Sequence, residues 1–395
     1  MSRTRKTVAA LAVAAALAAG GFTSSCGADG DVKIGVVLPL SGQFALYGTP
    51  IKQGIELAYD QYQADPDAPY SIALQIVDSE SDPEKAEELL RQLYRDGAVA
   101  AIGGVTTSEA IEMVPVADEA DKVLLSPSAS NPSLTGISRN FFRIFPSDFR
   151  EGNKMGNFAA EGLGIDQVVI LAAESPYARG VQDVFQSEFE RYGGEVIEVI
   201  EYPPGGTDFT GLVQRALQLG PVGIYVADYA QNTTKIIREL RRQEFDGKIL
   251  TTSAYSAAET LAGAGDEAEG VILTQVAMMP DRPETTLFLE GYREKYGSPA
   301  DIWSAHGYDA FRVLAKALEE GGRTPNDVWR GMRSIRELRG PSGLIQFDEK
   351  GDVAKFPRVY VVDDGQLVDY EKAVDEKRIE ILRRIEQLNR SRTRG

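Results

Sequence analysis

Only one cysteine, Cys26, and one histidine, His306, occur in 395 residues. Without a second cysteine there is no internal disulfide, so stability has to come from a buried core. The same shortage excludes the Cys/His clusters that hold zinc. Basic charge is scarce too. Lys and Arg number 42 against 59 Asp and Glu, a formal charge of −17, and no Lys/Arg-rich run interrupts the folded part. That balance argues against nucleic acid as a partner, because phosphate binding needs a basic face. Phosphate-cradling GxxxxGK[ST] loops and G-x-S-x-G nucleophile elbows are absent. His306, inside WSAHGYDAF, reads as a structural helix residue. With so few catalytic constellations, the chain is expected to do no chemistry and to need no metal or cofactor.

What the sequence does have begins with a targeting segment over residues 1–25. Arg3, Arg5 and Lys6 precede the apolar stretch TVAALAVAAALAAG, which is too short and alanine-rich for a comfortable membrane span. Export is the expectation. Thr23 and Ser25 are small residues suited to signal peptidase, and Cys26 follows directly. This placement resembles a bacterial lipoprotein signal, in which the cysteine becomes the lipidated first residue and anchors the protein to the membrane. Thr23 stands where such signals usually carry Leu, and soluble secretion is the alternative. Residues 26–31 then read as a linker.

At 43% hydrophobic and 26% charged residues, the rest has the composition of an ordinary two-domain soluble protein. Lys33 to Leu40 reads as a strand buried on both faces, and helical spacing follows from Pro50, so residues 40–49 read as a βα loop. Strand and helix runs then alternate. Ser71 to Asp78, Val99 to Ile102 and Val123 to Ser126 are strands with helices between them, which indicates a parallel sheet covered on both faces. Around Phe141 to Phe145 the chain is expected to leave this sheet and begin a second alternation, with strands at 167–172, 195–201, 223–226, 248–252 and 270–275. Helices near 284–296, 303–319 and 326–334 precede a last strand at 357–362. Residues 371–395 form a charged, helix-prone tail with a narrow stripe of Ile379, Leu382, Ile385 and Leu388. A solvated tail helix is the plain reading of that stripe, which is too short for a coiled coil.

Ligands of open α/β sheets sit at the carboxyl ends of the strands. Two loops there are rich in hydroxyls: GGVTTSEA, leading into a helix, and SPSASNPS. A helix N-terminus offers free N–H groups to a carboxylate, which makes Thr107, Ser108, Ser128 and Ser130 candidates. Thr107 or Ser108 could equally be a plain N-cap.

The runs IGVVLPLSGQFALYG, DSESDPEKA, IGGVTTSEA, SPSASNPSLT, GYDAF and FDEKGDV share the order and spacing of the periplasmic leucine/isoleucine/valine-binding proteins, type I solute-binding proteins of ABC importers. The resemblance covers roughly Val32 to Tyr370. It implies two Rossmann-like α/β lobes joined by three hinge crossings, residues 32–145 plus 277–345 and residues 146–276 plus 346–370, with a ligand closed between them. Position by position, Tyr47 matches a first-loop tyrosine and Thr107 the hydroxyl that takes the ligand carboxylate. Ser128 and Ser130 match groups that bind the α-amino and carboxylate ends. Tyr177 and Trp303 match aromatics lining the side-chain pocket, and Tyr229 a tyrosine reaching from the second lobe. Ser253 stands where amino-acid binders carry a glutamate for the ligand ammonium. A buried ammonium without its anion is costly, so this departure points to an amide, a short acid or an aromatic compound, unless Asp228 faces the cleft.

The resemblance thus implies an envelope protein that captures a small polar solute and hands it to an inner-membrane ABC permease. A lipoprotein of the same fold that senses for, or regulates, another envelope protein is the alternative, and the charged tail favours it.

Overall fold

The computed structural model describes residues 31–279, 281–377 and 379. The targeting segment, Cys26 and most of the apolar stripe in the tail lie outside them. Buried apolar runs at the expected places form the first sheet: β1 (Val32–Leu38), β2 (Ile72–Asp78), β3 (Ala100–Ile102), β4 (Val123–Ser126) and β5 (Phe141–Arg143). All pair in parallel, in the order β2-β1-β3-β4-β5. Between them run α1 (Ala45–Ala64), α2 (Pro83–Arg95) and α3 (Thr107–Ala120).

Two expectations are corrected here. Phe141 to Arg143 does not leave the first sheet but adds its edge strand, since Phe141 and Phe142 are needed to cover the core beside β4. The first helix starts at Ala45 rather than Pro50, so Tyr47 lies in its opening turn and not in a loop. Pro50 lies inside this helix, past its first turn, and deprives it of the bond that an N–H there would give to the Leu46 carbonyl.

The second sheet repeats the plan. β6 (Gln167–Ala173), β7 (Glu195–Tyr202), β8 (Gly223–Ala227), β9 (Lys248–Thr251) and β10 (Ile272–Gln275) pair in parallel in the order β7-β6-β8-β9-β10. The accompanying helices are α4 (Asp148–Asn157), α5 (Pro176–Arg191), α6 (Thr210–Gln218), α7 (Ala230–Arg242) and α8 (Ala258–Ala264). The chain then returns to the first sheet. There α9 (Pro283–Tyr296), α10 (Ile302–Gly321) and α11 (Pro325–Ser334) pack, followed by a hairpin of β11 (Leu338–Gly340) and β12 (Gly343–Ile345). A last crossing brings β13 (Arg358–Asp363) and β14 (Gln366–Asp369) to the second sheet, where β13 pairs antiparallel with β10. The final strand is therefore not part of a purely parallel sheet, because it arrives from the opposite end. Residues 370–377 are helical.

The two sheets thus share one strand order, and the chain crosses between them three times. The closest helix pairing joins α1 to α10. A Cβ on Gly54 would meet the Ser304 carbonyl oxygen at 1.9 Å, and one on Gly307 the Ile51 carbonyl oxygen at 2.0 Å, so only glycine permits this approach. No helix among the described residues is long and apolar enough to cross a membrane.

Candidate functional site

Because β1 to β5 and β6 to β10 run parallel within their sheets, the carboxyl ends of these strands gather loops on one edge of each. Those two edges face each other. Between them lies a small cavity of about 20 Å³ lined by Tyr47, Val105, Thr107, Ser128, Ala129, Ser130, Phe145, Tyr177, Tyr229, Ser253, Ala254 and Trp303. The loops after β3 and β4 supply Val105 to Thr107 and Ser128 to Ser130. Those after β6, β8 and β9 supply Tyr177, Tyr229 and Ser253 to Ala254.

The lobes touch directly around this space. The Tyr47 hydroxyl donates to the Ala254 carbonyl at 3.0 Å and accepts from the Ala230 N–H at 2.9 Å. Gln231 Nε2 donates to the Gln43 carbonyl at 2.7 Å, and Asn131 Nδ2 to the Pro176 carbonyl at 2.5 Å. Aromatic rings make the wall. Tyr177 stacks on Tyr229 with centroids 4.6 Å apart, Tyr47 meets Trp303 at 4.8 Å, and Phe145 lies parallel to Trp303 at 5.8 Å.

Three lining residues carry a buried polar atom without a hydrogen-bond partner among the described residues: Thr107 Oγ1, Tyr177 OH and Trp303 Nε1. Burial raises the Tyr177 hydroxyl well above its ordinary value, so it stays protonated and able to donate. Thr107 opens α3 but is not its cap. Thr106 caps that helix in a reciprocal box with Glu109, which corrects the N-cap reading and leaves the Thr107 hydroxyl unspent. Ser128 Oγ, by contrast, donates to the Val105 carbonyl at 2.7 Å and fixes the loop.

The structure brings eight of the ten candidate residues together: Tyr47, Thr107, Ser128, Ser130, Tyr177, Tyr229, Ser253 and Trp303. Asp228 is one of the two exceptions. Its carboxylate accepts from Tyr202 OH at 2.9 Å, Asn232 Nδ2 at 2.9 Å and the Tyr229 N–H at 2.7 Å, and it does not line the cavity. Asp228 is spent on holding the β8 turn, so the suggestion that it replaces the missing glutamate is corrected. Ser108 is not among the lining residues either.

Sequence reasoning missed Phe145 and, behind the wall, two carboxylates of α4. Glu151 accepts from the Ser253 N–H at 2.6 Å and from Ser253 Oγ at 2.7 Å. Asp148 is fully buried and neither of its oxygens has a hydrogen bond. Burial pushes both carboxyls up from their ordinary range, and repulsion from Glu151 adds to the shift of Asp148. Ser147 before Asp148 and Glu151 was a legible helix start, but acidic residues in a first turn usually face water.

Comparison with known proteins places this geometry. The sequence model of the family described as periplasmic binding protein matches residues 31–365. The chain is 26% identical over 347 residues to the leucine-, isoleucine-, valine-, threonine- and alanine-binding protein of Pseudomonas aeruginosa, covering 87% of this chain and 92% of that one. It is 24% identical over 357 residues to a Leu/Ile/Val-binding protein homolog of Brucella melitensis, covering 89% and 96%. A leucine-binding protein from Thermotoga maritima superimposes with a TM-score of 0.81 at 29% identity, over 86% of this chain and 97% of its own. A solute-binding protein from R. palustris, solved in complex with benzoate, reaches 0.80 at 23% identity over 86% and 96%, a likeness of fold alone.

Proposed function

The chain belongs to the periplasmic binding protein family, and from that premise we propose that it is the extracytoplasmic solute-binding component of a branched-chain-amino-acid-type ABC importer. The solute is a small polar molecule, an amino acid or a related amide or organic acid, held between the lobes and passed to an inner-membrane permease. The protein does no chemistry. Residues 1–25 direct export to the periplasm or cell envelope, and Cys26, once acylated, tethers the mature chain to the membrane. Residues 32–145 with 277–345 close on residues 146–276 with 346–370 about the three crossings.

One observation carries this reading. The cavity is built from strand-end loops of both sheets and holds buried polar atoms that nothing among the described residues satisfies. A ligand touching both lobes stabilises the closed form by its differential affinity, which is what a capture device requires. Tyr47 then acts as a latch, since its hydroxyl reaches across to the Ala254 carbonyl and the Ala230 N–H of the far lobe.

The test is a thermal-shift screen of the mature protein against amino acids, amides, short organic acids and aromatic acids. Ligand at about 100 times its dissociation constant stabilises by roughly 2.7 kcal/mol, an upward shift that is readily measured. Loss of the shift in Thr107→Ala and Tyr229→Ala assigns it to the cavity. No shift with any class overturns the transport reading and turns attention to a protein partner.

A further inference from the structure

Ser253 removes a carboxylate from the cavity wall, but a carboxylate returns from another helix. We propose that Glu151 is a positioning residue that makes Ser253 an acceptor for a cationic nitrogen of the ligand, with the buried, unpartnered Asp148 carboxylate beside it adding to the negative charge behind that wall. This inference rests on the cavity being the ligand site and goes further by naming a chemical group.

The hydrogen-bond directions come first. A serine hydroxyl has one hydrogen and two lone pairs. The hydrogen of Ser253 is spent on Glu151 Oε2 at 2.7 Å, and Glu151 Oε1 takes the Ser253 N–H at 2.6 Å. What Ser253 offers the cavity is therefore an acceptor, polarised by a buried anion behind it. Ser130 is tied to the same turn through its carbonyl, which accepts from the Asp148 N–H at 2.7 Å, whereas the Asp148 carboxylate itself takes no hydrogen bond among the described residues. One lining hydroxyl is thus backed by a hydrogen-bonded carboxylate, and a second, unpartnered carboxylate lies three positions before it on α4.

The charge balance comes second. The cation that bears on Asp148 is Arg143. Its guanidinium is already engaged by Asp352 at 2.7 and 2.8 Å, by Thr135 Oγ1 at 2.6 Å and by the Asn131 carbonyl at 2.9 Å. The start of α4 supplies only a partial positive charge. A buried carboxylate pair so weakly compensated is costly, and a cationic group arriving beside Ser130 and Ser253 would offset that cost. Thr107 Oγ1, free at the first residue of α3, suits an anionic end of the same molecule. The relay also explains why serine is tolerated at position 253: the negative charge sits one atom layer deeper and is carried by a different element.

Matched pairs of ligands test this. Calorimetry on the full mature protein compares leucine with 4-methylpentanoate and with 2-hydroxy-4-methylpentanoate, and phenylalanine with 3-phenylpropanoate; benzoate is the acid without an aminated partner. The amine-bearing member should bind on the order of 10- to 100-fold more tightly, the scale of charged hydrogen bonds. Glu151→Gln and Asp148→Asn should each narrow that gap, and the pair of substitutions should close it. Ser253→Ala, which keeps both carboxylates, should narrow it too and serves if the helix variants fold poorly. Tighter binding of the acids by the unaltered protein, or an amine preference that survives Glu151→Gln with Asp148→Asn, overturns the relay while leaving capture of a solute intact. Absence of binding by every member of the panel sinks the solute reading itself, and the relay with it.

Discussion

On α4, Asp148 and Glu151 are buried among the second lobe's core, one of them without any hydrogen bond. On α10, Asp309 is buried just as deeply, yet its Oδ2 accepts both the Ser342 N–H at 2.9 Å and Ser342 Oγ at 2.6 Å. The same Ser342 oxygen accepts from Lys355 Nζ at 2.7 Å, and Arg312 approaches Oδ1 at 3.4 Å. His306, a turn before, gives its Nδ1–H to the Ile302 carbonyl at 2.8 Å. One cluster carries its own cations and donors, whereas in the other Glu151 is held by Ser253, which lines the cavity, and Asp148 by no hydrogen bond among the described residues. Equal burial therefore does not mean an equal role. A buried acid that the fold satisfies holds structure together, and one that the fold leaves short is placed for something that arrives later.

Breaking the satisfied cluster should have the largest effect. Asp309→Asn leaves Lys355 buried without its anion and should cost about 3–5 kcal/mol of stability below pH 7, read by denaturant unfolding. Asp228→Asn tests whether lobe or satisfaction decides. This carboxylate belongs to the second lobe but accepts three hydrogen bonds, so its loss should destabilise by about 1–3 kcal/mol, with no change in which ligand classes the thermal screen detects. If Asp228→Asn instead stabilises, the contrast is one of lobes. Asp148→Asn should go the other way, raising the stability of the ligand-free protein on the order of 1 kcal/mol at pH 8, because an unpaired buried charge is replaced by a neutral group of the same shape.

The last test is a pair of opposed pH slopes. Burial holds the Lys355 ammonium down at about 7, against an ordinary 10.5, with Asp309 and His306 the ionisable groups beside it. The unfolded chain then binds a proton more readily, so stability is present above the ordinary lysine range and is lost as pH falls toward 7. The acid pair has raised values in the fold, with Arg143, Tyr177 and Tyr225 facing it. Its contribution is present below the ordinary carboxylate range and is lost as pH climbs through the raised values. Unfolding midpoints measured from pH 5 to 10 should lose the alkaline rise in Lys355→Met and the fall in Asp148→Asn with Glu151→Gln. Unchanged profiles in both would remove the electrostatic basis of the contrast.

Much of this was legible in the residues. Strands β1 to β4 and β6 to β10 are short apolar runs between helical periods, and two alternations of that kind point to two parallel sheets. The hydroxyl loops around Thr107 and Ser130 were legible because βα loops concentrate at one edge. The α4 acids were not, since hydrophobic periodicity misleads there. That helix buries Asp148, Glu151, Gly152, Met155 and Gly156, and leaves Phe149 58% exposed. A pattern reader assigns the charges to water and the phenylalanine to the core. The antiparallel arrival of β13 was equally hidden, because PRVYVV reads the same in either direction and only the third crossing sets its sense.

The glycine contact between α1 and α10 bears on how the chain acquires its shape. Gly54 emerges early in synthesis and Gly307 late, and strands β6 to β10 are made in the interval. The second lobe's parallel core has its neighbours close in sequence, whereas α1 waits for a partner most of a chain away, a long-range closure that is slow to form. A chain made in that order lacks one face of its first lobe until nearly the last helix has been delivered, because α1 has no α10 to meet before then.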